Sequence, residues 1–188
     1  GRPALLVSFN DVSERRLAEE TARQLAEEMR QANEFIVAVS QIREIDQICQ
    51  SLVAKAHELN PSGYEIVSIY DRVSGMLNIR PADGGGLDGS LLGEIIEQPL
   101  HTLSGRIYPQ EKEKIMPFFV LGNKLEEGSG GLYPLLGGLL SRELCNKIEK
   151  ELAIGSVWAV GFTQEGQETL GGLIIALPRG TTLEHHRA

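Results

Sequence analysis

Apolar positions change their period several times along this chain, and each change marks an element. Ala18, Ala22, Leu25, Met29, Ala32, Ile36 and Val39 recur at alternating spacings of four and three. That is a heptad seam, with Glu, Arg and Gln at the positions between. Asp11 or Ser13 can cap such a helix, because a short side-chain oxygen accepts from the free amides of the first turn. Small Ala at three seam positions predicts weak helix pairing. The same stripe could also pack on its own domain. Ahead of it, the run Ala4-Leu5-Leu6-Val7-Ser8-Phe9 reads as a strand that gives way to the helix.

A second amphipathic helix follows. Ile42, Ile45, Cys49, Leu52, Ala56 and Leu59 share one face, and Asn60-Pro61-Ser62-Gly63 ends it. "YEIVSIYD" (64–71) and "GMLNIRPA" (75–82) then flank the turn Arg72-Val73-Ser74-Gly75, which predicts a hairpin. "GSLLGEIIEQ" (89–98) reads as a short helix. "KIMPFFVLGN" (114–123) can carry a strand, with Pro117 favouring an edge or a bend. "EEGSGGLYPLLGG" (126–138) is Gly-rich and irregular. "SRELCNKIEKELAI" (141–154) is a helix capped by Ser141, with Leu144, Ile148 and Leu152 inward. Residues 156–177 are two apolar runs joined through Gln164-Glu165-Gly166-Gln167-Glu168, a second hairpin. Strands grouped in hairpins imply an antiparallel sheet, so the expected class is α+β, with helices flanking a central sheet and a long helix at the N-terminus.

Composition narrows the function. A chain of 188 residues with 41% hydrophobic residues can bury one good core. A net charge of -8 argues against nucleic acid as the main partner, which needs a clustered basic face. No apolar stretch approaches the roughly 20 residues a membrane-spanning helix needs, so no membrane contact is expected of these residues. Two cysteines far apart, Cys49 and Cys145, suit a reducing, cytoplasmic setting and give neither a disulfide framework nor a zinc spacing. The four histidines show no metal-ligand spacing.

"ELAIGSVWAVGFTQEGQETLGGLIIALPRG" (151–180) resembles the end of a GAF domain. There a helix ends in a strand, a polar turn follows, and a Leu-Gly-Gly-Leu strand closes the sheet. The features matched here are Ile154-Gly155-Ser156-Val157, Ala159-Val160-Gly161-Phe162 and Leu170-Gly171-Gly172-Leu173-Ile174-Ile175. The hairpin at 64–82 fits the start of the same fold. "ALLVSFNDVSERRLAEE" (4–20) resembles the last strand of a PAS sensor domain and its exit into a linker helix. The resemblance implies three parts: 1–10 as the tail of an upstream PAS domain, 11–39 as a linker helix, and 40–188 as a GAF domain. Thr181-Thr182-Leu183-Glu184 resembles the start of the final GAF helix, which is expected to be cut short.

This order implies a non-enzymatic regulatory input module, of the kind found in sensor histidine kinases of two-component systems. It would bind a small ligand or relay a partner's state to an output domain through a parallel homodimer of the N-terminal helix. Ala22, Leu25, Met29, Ala32 and Ile36 would form the dimer seam. A GAF pocket lies between one sheet face and the irregular segment before the last hairpin. Phe118, Phe119, Tyr133 and Trp158 are therefore its candidate walls, and Asn123 or Lys124 its polar contact. The alternative for each aromatic is a place in the core.

Cys145 sits where bilin-binding GAF domains attach their chromophore. Asn146 replaces the His that follows in those domains, and a small apolar role for Cys145 is the better account. Two cysteines also miss the trio used by GAF-type methionine sulfoxide reductases. "GGGLDG" (84–89) lacks the Lys and Ser/Thr of a phosphate loop. No nucleophile and base assemble, no cofactor or metal is assigned, and a ligand-free structural dimerisation module is a further reading.

Overall fold

The computed structural model describes residues 4–80, 89–97, 103–106, 124–136, 139–163 and 169–183. The chain divides into two compact units, residues 1–44 and 45–188.

The first unit is one helix, α1 (Ala4–Ser40). The expected strand at Ala4–Phe9 is corrected here: these residues are the first turns of α1, and the helix does not start at Asp11 or Ser13. The reason is hydrogen bonding. The described strands pair only with one another, and a helix satisfies backbone groups internally where a lone strand leaves them unpaired. Along the polar flank, Arg15 pairs with Glu19 at 2.9 Å, Gln24 donates to Glu28 at 3.1 Å, and Arg30 bridges Glu27 and Glu34. Each such pair contributes about 0.2–0.5 kcal/mol, which favours the helix before any partner is met. Its last turn tightens through Gln41 N–H to the Ala38 carbonyl and Ile42 N–H to the Val39 carbonyl.

In the second unit, α2 (Ile45–Leu59) precedes the hairpin β1 (Tyr64–Asp71) and β2 (Met76–Arg80). Asp71 makes the turn: its carboxylate accepts the Val73 N–H at 2.9 Å and the Ser74 hydroxyl. Those bonds, Ser74's first, hold the Asp71 carboxyl below its usual range. Next come α3 (Gly89–Ile96), the short strands β3 (Ser104–Arg106) and β4 (Glu126–Glu127), α4 (Arg142–Glu151), β5 (Ile154–Thr163) and β6 (Thr169–Pro178). Ser141 caps α4 as expected, accepting the Leu144 N–H at 3.2 Å. β3 and β4 were not foreseen, and the strand expected at 114–123 lies outside the described residues.

The six described strands form one antiparallel sheet in the order β3-β2-β1-β6-β5-β4. Its central strands, β1 and β6, bury residues on both faces. One face carries Ile66, Ile79, Val157, Ala159, Ile174 and Ala176 beneath α3, α4 and residues 132–136 and 139–140. The other carries Val67, Leu173, Ile175 and Leu177 beneath Cys49, Val53 and Ala56 of α2. Successive residues of a strand point to opposite faces, so these largely apolar runs, which on β1 include the buried Glu65 and Ser68, supply two core layers at once.

Candidate functional site

The sequence places a ligand between one sheet face and the irregular segment before the last hairpin, of which residues 124–136 are described. This cover is tied down by α4. Glu149 Oε1 accepts the Leu132 N–H at 2.7 Å, and the Arg142 guanidinium lies 4.4 Å from the centre of the Tyr133 ring. Lys147 Nζ donates at 3.3 Å to the carbonyl of Ile95, in the last turn of α3, where a cation also suits the helix dipole. Gly131 has φ +75 and fits because a Cβ there would lie only 2.2 Å from Glu149 Oε1. Beneath this cover Leu132, Leu135, Leu136 and Ile148 are almost wholly buried. They leave a cavity of about 10 Å³ lined by aliphatic side chains. That is about the size of a single water, so these described side chains pack closely against one another there.

The expected site residues are divided by the sheet. Tyr133 is half-buried at the edge of the α4 layer, and Cys145 is buried within it. Burial, aided by the Glu149 carboxylate, pushes the Cys145 thiol up to about 11. Trp158 packs on the opposite face with Val160 and Phe162, while its neighbours Val157 and Ala159 face α4. Trp158 therefore shares no layer with Tyr133 or Cys145. Lys124 is exposed beside Glu126 at 3.8 Å. Phe118, Phe119 and Asn123 lie outside the described residues. Sequence reasoning missed Glu149 and Lys147 as fasteners, because each bonds to a backbone group, which no side-chain motif records.

Beneath α2, His57 Nδ1 stands 3.3 Å from Glu65 Oε2, whose side chain is fully buried. Gly63 makes room for that carboxylate, since a Cβ there would meet Glu65 Oε1 at 2.8 Å. No group of three metal-ligating side chains occurs among the described residues. None of the described helices is long and apolar enough to cross a membrane.

On α1 the seam stands open. Leu25, Met29 and Ile36 are 56%, 60% and 62% exposed, and Ala22 and Ala32 are exposed between them.

No protein-family model matches the chain, and a search of curated proteins finds no match. Among solved structures the chain is similar to a methyl-accepting chemotaxis protein, at 12% identity over 78% of this chain and 80% of that one, with a TM-score of 0.48. It is also similar to the GAF domain region of a Geobacter sulfurreducens PCA protein, at 13% identity over 83% and 86% of the two chains, with a TM-score of 0.46. A third similarity is to the chromophore-binding domain of a Stigmatella aurantiaca bacteriophytochrome, at 13% identity, 79% of this chain, 50% of that one and a TM-score of 0.45. With its paired hairpins, its six described antiparallel strands and helices on both faces, the chain has an α+β fold.

Proposed function

We propose that this chain is a regulatory module of a signalling protein, which dimerises in parallel through α1 and relays a change of packing to an output domain of the histidine kinase type. The open seam of α1 carries this reading. Its polar flank is already satisfied by pairs within the helix, while Leu25, Met29 and Ile36 each stay more than half exposed. A second copy of the seam would bury them at about 25 cal/mol per Å² of apolar surface. Three Ala positions keep that gain small, so the pairing is marginal and easily shifted by whatever the module senses.

The close packing of Leu132, Leu135, Leu136 and Ile148 under α4 supports a relay over a cofactor site among those residues. Two buried thiols, each pushed up by burial, fit a reducing, cytoplasmic setting. The module acts by relay and not by catalysis.

Sedimentation of the whole chain tests the dimer. Wild type is expected to show a concentration-dependent dimer, and Met29→Asp to lower the dimer fraction, because a charge would enter the seam. A wild-type mass that stays at 20.6 kDa at every concentration overturns the proposal.

A further inference from the structure

The layers on the two faces of the sheet are built from side chains of different size. The α4 layer is closed by Leu132, Leu135, Leu136 and Ile148, all buried. Under α2 the buried side chains of the helix are Cys49, Val53 and Ala56, which are smaller. The larger apolar residues of α2 stay at its margins: Ile45 is 44% exposed, and Leu52 and Leu59 are half-buried. Apolar stabilisation follows the area removed from water. By that measure α2 is the more weakly held cover.

Side-chain pairs fasten α2 at its two ends. At its start, Asp46 meets Arg80 Nη1 at 3.2 Å. Arg80 is the cross-strand partner of Val67, which packs under α2, and partners directly opposite project to the same face. In the last turn, His57 Nδ1 stands 3.3 Å from Glu65 Oε2 on a side chain that is wholly buried. Arg80 and Glu65 both belong to the β1–β2 hairpin. The helix is thus pinned by polar contacts to one hairpin, with small side chains between the pins.

We infer that α2 is a releasable helix, which leaves the sheet as a unit while the sheet and the α4 layer stay folded, and that the His57–Glu65 contact is its latch. A segment with few buried apolar contacts opens at a lower free energy than the whole domain. Release uncovers Val67, Leu173, Ile175 and Leu177 on the sheet and Cys49 on the helix. In the chain α2 is the first element after α1, so under the relay proposed above it is where strain along α1 arrives. The release itself does not depend on that reading and holds whether or not α1 pairs.

The two cysteines report the two layers separately, since Cys49 is buried under α2 and Cys145 in the α4 layer. The test labels the full chain with a thiol reagent in urea below its unfolding midpoint and reads the rate at each cysteine by peptide mass. Cys49 is expected to label ahead of Cys145 and with a shallower dependence on urea, which scales with the surface an opening exposes. His57→Ala takes a polar neighbour from a buried carboxylate and should speed Cys49 labelling about fivefold or more. Asp46→Ala, which loses an exposed pair, should speed it about twofold. The bond from Leu132 N–H to Glu149 survives the release of α2, so Glu149→Ala should speed Cys145 and leave Cys49 unchanged. One rate and one urea dependence for both cysteines overturns the inference. So does an equal effect of Glu149→Ala on both, or a Cys49 rate indifferent to His57→Ala. The wild type and Glu149→Ala decide without the His57 variant, and far-UV circular dichroism checks that each variant folds.

Discussion

Glu149 on α4 accepts the backbone N–H of Leu132, seventeen positions back, at 2.7 Å. Through that bond a helix holds the cover of its own core layer in place. Charge-assisted bonds of this kind are worth about 1.5–3 kcal/mol. Glu149→Ala is therefore expected to lower the unfolding free energy by about 1–3 kcal/mol, and Glu149→Gln, which keeps an acceptor oxygen, by less. Urea denaturation followed by circular dichroism measures both. Equal losses would mean that the bond is not what matters.

Gly171 sits where β6 presses closest on β1. A Cβ there would lie 2.1 Å from the Ser68 carbonyl oxygen and 3.0 Å from the Ile69 Cα. Backbone atoms cannot swing aside as a flexible side chain does. Gly171→Ala is expected to cost more than about 3 kcal/mol, beyond the usual range for single substitutions. Insolubility, or a collapse of Tm, is the outcome to look for. A variant with wild-type Tm would contradict the β1–β6 register.

Cys49 and Cys145 should resist thiol reagents in the folded protein. Both are buried, and burial raises both thiols, Cys145 to about 11. At pH 8 a chromogenic disulfide reagent is expected to react with neither until denaturant is added, and then with both. Fast labelling of native Cys145 would instead revive a chromophore-attachment role.

Acid should loosen α1 through Glu27. Bonds from Arg30, then Gln31, hold its carboxyl at about 2, below the ordinary 4.5. A carboxyl depressed in the folded state stabilises the helix above pH 4.5, and that contribution fades as the pH falls toward 2. Helical ellipticity at 222 nm should therefore drop across this window. Glu27→Gln should flatten that part of the profile, and added salt should shrink it, because the pair is exposed.

Periodicity made much of this fold legible. The tail from Ser141 to Leu177 shows its cap, its inward helix face and its two apolar runs in the sequence, and the structure has all of them. The turn at Arg72 to Gly75 was equally plain, because Ser and Gly each serve a turn for a local reason, though the part Asp71 takes in it shows only in the structure. Ala4–Phe9 misled because an apolar run with Val and Phe suits a strand only where another strand lies alongside, and neighbours are not written in a local pattern. β3 and β4, three and two residues long, are too short to show a period. The candidate walls were read as one pocket. The side of the sheet each takes depends on register: Trp158 and Ala159 are adjacent in sequence and belong to different layers.

Ile66 and Val67, consecutive on β1, are buried under opposite covers at 7% and 0% exposure. The sheet is thus a wall one strand thick shared by two packed layers. Interiors are packed like crystals, so side chains have little room to shift independently. An intrusion on either side must be felt on the other as curvature of the wall they share.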